Sequence, residues 1–398
     1  MGGWRGGTAD MSQMNSRERV IMALAHREPD RLPFDCPFGY TAFDRLMRHL
    51  GHNGGAGLLP TGPDLNVRPP VEFLQDFGID LVYVGLSGSA NEPRFEYGAD
   101  RYVDEWGISY RKIEGAFAFS YEAVTHPLAK ASLRDLEDFP WPDSADPARI
   151  EGLEDKCRRL SDTTDLAIVG RFNTPIFEQA FMLRGLEQFL VDILDDPDFA
   201  CALLDKTTDI AVGLVQAGLA RAGRYLQVLR LAGDDQGHQR GTLLAPEVFR
   251  RIIKPRFARL YREAKAMMLQ ANPQAKLMAH TDGDVYAIIP DYIEMGLDVL
   301  NPVQPHVTHM DHGLLKEQFG ATLSFHGAVD IQRLMPHGTP EEVEAEVAKT
   351  MRTLGAGGGY IVAPTHYLQA DVPPENIVAL RDAVMKHGRY PLPLAGSG

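Results

Sequence analysis

From residue 166 onward in this 398-residue chain, residues able to donate, accept or ligate stand directly after short apolar runs. The run 166–170 is followed by Arg171 and Asn173, and the run 226–229 by Asp234, Asp235, Gln236 and His238. His280, Asp282 and Asp284 follow 276–279; Asn301 and Gln304 follow 299–300; His326 and Asp330 follow 322–325; His366 and Gln369 follow 360–363. The adjacent carboxylates Asp234 and Asp235 can anchor a cation or divide the roles of acid and base, because neighbouring like charges raise one of the two pKa values. His280-x-Asp282 sets two ligand types on one side of an extended backbone, and His326 and His366 are candidates to complete a nitrogen and oxygen metal site. Hydrogen-bonding histidines without a metal are the alternative use of the same residues.

The elements that must position these groups read as six strand–helix alternations: strands at the runs above, and helices across 176–222 (interrupted near Asp195-Asp196-Pro197), 246–270, 285–295, 310–319, 340–354 and 374–385. Short joints between alternating strands and helices argue for parallel β/α architecture. A buried strand at 80–84 and one more upstream bring the count to eight, which predicts a closed (β/α)8 TIM barrel with N-terminal helical and hairpin elaborations. In such a barrel the C-terminal strand ends converge on one mouth, so the polar residues above share an active site.

Ser16 is a plausible N-cap for a first helix over 17–24, and residues 101–112 suggest a hairpin turned at Glu105-Trp106-Gly107. Thr339-Pro340-Glu341-Glu342 reads as a capping box with proline at the first helical position. Gly357-Gly358-Gly359 precedes a strand rather than opening a helix, so it reads as a tight turn and not as a phosphate cradle.

The acidic balance, 54 Asp and Glu against 40 Lys and Arg for a net charge of -14, disfavours nucleic acid and anionic membranes as partners. Three widely separated cysteines form neither a disulfide framework nor a local zinc motif, and no apolar stretch approaches the roughly 18 residues of a membrane span. These features predict a reduced, cytoplasmic protein. Residues 1–14 read as a disordered tail and 15–392 as one barrel domain.

Several segments together resemble the uroporphyrinogen decarboxylase superfamily: Ser16-Arg17-Glu18-Arg19-Val20, His26-Arg27-Glu28-Pro29-Asp30-Arg31-Leu32-Pro33, His280-Thr281-Asp282-Gly283, the run 296–304, Gly338-Thr339-Pro340-Glu341-Glu342-Val343, and the ending from Gly358 through Ile377. The resemblance implies a (β/α)8 barrel, commonly a homodimer with facing mouths, and one of two chemistries: decarboxylation of an octacarboxylate tetrapyrrole, or methyl transfer involving corrinoid cofactors. The segment 33–40 lacks the arginines with which the decarboxylases hold substrate carboxylates, and 82–87 lacks their catalytic aspartate. Their active-site tyrosine falls at Phe181, and the late histidine, His366, is retained. The strand ends are rich in carboxylate and imidazole, whereas eight substrate carboxylates require several cations.

Corrinoid-linked thiol methyltransferases of the superfamily bind zinc through His-x-Cys and a distant Cys. Here those positions read His280-x-Asp282 and Thr365, so zinc would lack its usual cysteine ligands, with His280 and Asp282 the remaining candidates. The resemblance therefore points to an O-demethylase-like methyltransferase that moves a methyl group from a small methoxylated or methylated compound to the corrinoid (cobalamin) of a partner protein. Breaking a methyl ether requires stabilising the departing oxygen. Asp235, His280 and His366 are assigned to that oxygen, and Arg171, Asn173, Asn301, Gln304, His326 and Gln369 to substrate binding. Decarboxylation of a tetrapyrrole or other carboxylate is the alternative, and a non-catalytic ligand-binding barrel the third reading.

Overall fold

Seven short, mostly apolar runs, buried along nearly their whole length, set the architecture. The computed structural model describes residues 14–392 apart from Ala56, Thr61, Asn173 and Ala232, so the expectation of a disordered N-terminal tail falls almost wholly outside the described residues. Seven parallel strands, β1 (Leu81–Val84), β2 (Ala167–Phe172), β3 (Val228–Leu231), β4 (Lys276–His280), β5 (Val299–Val303), β6 (Ser324–Val329) and β7 (Tyr360–Pro364), follow one another in chain order across a curled sheet. The eighth position is held by an extended segment rather than a strand. Pro33 O accepts from Val362 N at 2.9 Å and Asp35 N donates to Val362 O at 2.9 Å, while Phe34 O accepts from Asp80 N at 2.8 Å, so residues 33–35 join β7 to the chain entering β1. The result is a TIM-barrel-like α/β fold.

Leu81, Ala167, Val169, Val228, Met278, Val299 and Ile361 point inward and pack with Val20 and Leu24 of α1 (Ser16–Leu24), which plugs the N-terminal end of the barrel. Two residues further along β2, β3, β4 and β5 the same inward face carries Arg171, Arg230, His280 and Asn301, and β6 adds His326. Alternation alone therefore turns a floor of apolar side chains into a polar mouth. The register sets Arg171 opposite Arg230 and His280 opposite Asn301.

Several local expectations change. Asn15, not Ser16, caps α1: its side chain accepts from Glu18 N at 2.8 Å in a reciprocal capping box, while Ser16 Oγ donates to Asp80 instead. The segment expected as a helix over 176–222 breaks twice, giving α2 (Phe177–Arg184), α3 (Leu186–Asp195) and α4 (Pro197–Ala222). Gly185, at φ 92° and ψ 130°, supplies the extra break. Between Pro246 and α5 (Lys254–Ala271) a π-helical turn occupies Phe249–Ile253, just before Pro255, whose missing N–H cannot continue regular α-helical bonding. The hairpin pairs Arg101–Val103 with Ser109–Glu114 as expected and gains a third strand, Phe119–Ala123. The capping box opens α6 (Pro340–Gly355). The three glycines 357–359, all at positive φ, turn the chain from it into β7. Among the described residues no helix is long and apolar enough to cross a membrane.

Candidate active site

A cavity of about 310 Å3 opens at the C-terminal ends of the strands. At its inner wall, His280 ends β4, and the loop after it brings Asp282 Oδ2 to 3.4 Å from His280 Nε2. His366, just past β7, places its ring centroid 5.9 Å from that of His280. Donor atoms of His280, Asp282 and His366 all lie within 4.8 Å of one another, a set of two imidazoles and one carboxylate suited to a divalent cation such as zinc with a position left for substrate. The turn that presents Asp282 depends on Gly283 (φ 85°): a Cβ there would lie 2.3 Å from the carbonyl carbon of Gly237.

The remaining imidazole nitrogen of His280 is held from behind by a chain of hydrogen bonds. Asp35 Oδ2 accepts from Tyr83 Oη at 2.5 Å and from His326 Nε2 at 2.9 Å. His326 Nδ1 then accepts from Asn301 Nδ2 at 2.7 Å, and Asn301 Oδ1 accepts from His280 Nδ1 at 2.7 Å. Each bond dictates the donor and acceptor roles of the next, so His280 Nε2 presents its lone pair to Asp282 and His366. Outer partners of this kind fix ring orientation and ligand basicity. Asp35→Asn, which can reverse the roles along the chain, is expected to weaken zinc affinity about 10–100-fold. Titration against a competing chelator checks this; an unchanged dissociation constant would show that Asp35 does not orient His280.

Three further carboxylates surround the triangle. Asp234 is buried and caps the start of α2, accepting from Ile176 N and Glu178 N at 2.7 Å each. Asp235 lies 4.0 Å from His280 Nε2 and accepts from Asp282 N at 2.8 Å. Glu178 and His280 flank Gly233, where a Cβ would sit 3.7 Å from Glu178 Oε2 and 2.9 Å from His280 Cδ2. Burial raises the Asp282 carboxyl, but contact with His280 and the proximity of His366 bring it below its ordinary range. Burial and the Asp282 charge raise Asp235 instead, and burial with the Asp235 charge pushes Glu178 up to about 7. Burial lowers His366 to about 4. The cluster thus combines an ionised carboxylate, a neutral imidazole and a carboxyl that still holds a proton near neutral pH, the separation that acid–base work requires.

Because Glu178 binds its proton more tightly in the folded chain than at its ordinary value of 4.5, folding takes up a proton between pH 4.5 and about 7. Stability of the wild type should therefore fall as pH rises through that window, and Glu178→Gln should flatten the fall. Urea midpoints at pH 5 and pH 7.5 check the difference; parallel behaviour of the two proteins would contradict it.

The structure sorts the sequence-derived residues. Asp235, His280, Asp282 and His366 meet in one cluster, and Arg171, Asn301 and His326 line the cavity. His326 belongs to the supporting chain rather than to the triangle. Gln304 does not face the cavity: its Oε1 accepts from Gly283 N at 2.9 Å and steadies the turn after Asp282. Gln369 is exposed and lies outside the cavity lining, and Asn173 lies outside the described residues.

Four functional candidates were not singled out from the sequence. Asp35 and Glu178 arrive from the closing segment and from the first turn of a helix, neither of which is a strand end. Arg230 lies within β3, on its inward face, and the alternation Val228, Arg230 was the signal for it. Arg68 arrives on the loop between Asn66–Val67 and the helix Val71–Phe77. With Arg171, these make three guanidiniums in a mouth whose strand ends read as poor in cations, and that reading is corrected.

A barrel whose strand ends gather an acid, a base and a three-donor cation site has the layout of a TIM-barrel enzyme. The family model of uroporphyrinogen decarboxylase (URO-D) matches residues 117–387, and the chain belongs to that family. Over 221 residues, 54% of each protein, the chain is 26% identical to the methylated-thiol–coenzyme M methyltransferase of Methanosarcina mazei, so this match spans about half the length of that relative. It is 23% identical to the uroporphyrinogen decarboxylase of Alkalilimnicola ehrlichii over 92% of this chain and 93% of that one. The fold is similar to a solved methyltransferase from Methanosarcina mazei, with a TM-score of 0.63 at 19% identity, covering 94% of this chain and 99% of the other.

Proposed function

We propose that this protein is a methyltransferase that takes a methyl group from a small methoxylated or methylated compound and delivers it to the corrinoid of a partner protein. The observation that carries the reading is the His280, Asp282 and His366 triangle at the inner wall of a cavity sized for one small molecule. Homology to a methyltransferase supports it. A divalent cation held by the three residues supplies Lewis acidity to the departing oxygen or sulfur. The chain's own groups do the rest. His280, steadied through Asn301, keeps its Nε2 aimed into the three-donor site as a ligand. Glu178 or Asp235 gives that atom a proton as the carbon–oxygen bond breaks with its electron pair on oxygen, while the methyl carbon bonds to the reduced corrinoid. The cavity walls hold the donor in line with the acceptor above the barrel mouth. The resemblance further implies a homodimer with facing mouths.

Incubation with zinc, a reduced corrinoid and a panel of aryl methyl ethers and methylated thiols tests this. Methylcobalamin is the expected product, and its absence with every donor would defeat the reading. The three guanidiniums favour a second reading, decarboxylation of a small carboxylic acid. Release of labelled CO2 without corrinoid would establish that one in its place.

A further inference from the structure

The cavity gathers guanidiniums in a chain that is acidic overall. Against the net -14 of the whole sequence, the ionisable acids and guanidiniums lining the cavity are Asp35, Asp64, Arg68, Arg171 and Arg230. Three guanidiniums thus stand in the lining against two carboxylates, with Asp282 just beyond them at the His280 triangle. The two carboxylates are also occupied: Asp35 by His326, Tyr83 and the Cys36 N–H, and Asp64 by Arg171 at 4.0 Å and the Asn66 side chain at 2.7 Å.

Arg230 is the most confined of the three cations, with 8% exposure. Its Nε and Nη2 donate to Asn301 Oδ1 at 3.3 and 3.2 Å, but Nη1 has no partner among the described residues. A buried guanidinium donor without an acceptor is costly. Arg171 stands opposite Arg230 in the register and spends Nη1 on Tyr367 Oη, and Arg68 lies alongside Arg171, where the two charges oppose each other. Among the described residues Asp64, 4.0 Å from Arg171, is the one carboxylate in an ion pair with these guanidiniums. An anion in the cavity would supply the missing acceptor and offset the repulsion, and guanidiniums bind carboxylates in a two-pronged fork.

We infer that the small substrate carries a carboxylate, held by Arg230, Arg171 and Arg68 beside the His280 triangle, where Arg230 and His280 share the acceptor Asn301 Oδ1. The planar pair of oxygens on a carboxylate matches the paired N–H groups of a guanidinium fork. The largely apolar remainder of the lining, Leu58, Leu74, Val82 and Pro364 among it, suits the body of the molecule. This deepens the methyl-transfer reading by naming its substrate class, but the anion site is tested by binding alone, so either can fail without the other.

Isothermal titration of the full chain with benzoate, benzamide and inorganic phosphate provides the test. Benzoate is expected to bind at least tenfold more tightly than benzamide and more tightly than phosphate. Arg230→Met and Arg68→Met should each lower benzoate affinity at least tenfold while leaving benzamide unchanged. Arg68 is exposed, so its variant remains informative if Arg230→Met fails to fold. Equal affinity for benzoate and benzamide, tighter binding of phosphate, or undiminished benzoate binding in Arg68→Met would each overturn the inference. If benzoate binds as expected and no methylcobalamin forms, the carboxylate site stands and the methyl-transfer reading falls.

Discussion

His280→Ala is expected to lower methyl transfer on the order of 10²–10³-fold and to remove stoichiometric zinc from the purified protein. The magnitude follows from losing one preorganised ligand of the three-donor site that would stabilise the leaving atom. Two effects coincide in this one side chain. Nε2 is the donor shared by the triangle, at 3.4 Å from Asp282, and Nδ1 is the end of the chain that begins at Asp35. Metal analysis and single-turnover methyl transfer read the two effects separately. A variant that loses zinc yet keeps its rate would assign the chemistry to the proton held near Glu178. One that retains both would remove His280 from the site altogether.

Asp80→Ala should destabilise the fold by about 3–5 kcal/mol, the range for removing one partner of a buried charge network. Asp80 is fully buried. Its carboxylate accepts from Arg19 Nη1 and Arg31 Nη1 at 2.7 Å, from Ser16 Oγ at 2.7 Å and from Phe34 N at 2.8 Å. It thereby ties the plugging helix α1 to the segment that closes the barrel, just ahead of β1. Without it Arg31 loses its carboxylate partner, whereas Arg19 keeps Asp30 at 2.7 Å. Urea denaturation measures the loss. Replacing Arg31 by methionine as well should recover part of it, because the uncompensated charge is then gone; a loss below about 1 kcal/mol in the single variant would show that the network does not hold the seam.

The two sites of consequence are physically linked. Asp35 sits on the closing segment that Asp80 anchors through Phe34 N, and it starts the hydrogen-bond chain that ends on His280. A barrel seam that loosened would displace Asp35 and, with it, the orientation of the imidazole. Stability at the bottom of the barrel and chemistry at its mouth therefore meet in four residues, 33–36.

The barrel class was legible because each strand is a run of apolar residues at a spacing no helix shares, and because each is followed by a helix with its own start signal, such as Thr339 before Pro340. His280-x-Asp282 was legible for the same reason: a strand end fixes direction, so residues just past it converge. Gln304 and Gln369 satisfied that rule of position and still fell outside the cavity, since a polar residue past a strand end can equally serve the turn itself, as Gln304 does for Gly283. The eighth position of the barrel was not legible, because residues 33–35 make their hydrogen bonds to β7 and to the entry of β1, partners hundreds and tens of residues away.

By itself, then, the sequence determined a parallel β/α chain through its local period, a resemblance to the uroporphyrinogen decarboxylase superfamily through its motifs, and His280, Asp282, His326 and His366 as candidate ligands through their places past strand ends. Only the tertiary structure decided which polar groups share one cavity. Arg68 comes from a loop without periodicity, Arg230 from within a strand, and Asp35 from the seam. Their juxtaposition sets guanidiniums and a carboxylate in one pocket of an acidic protein, where side chains brought together at short range in a partly dry cavity act far more strongly than the screened average charge of the chain.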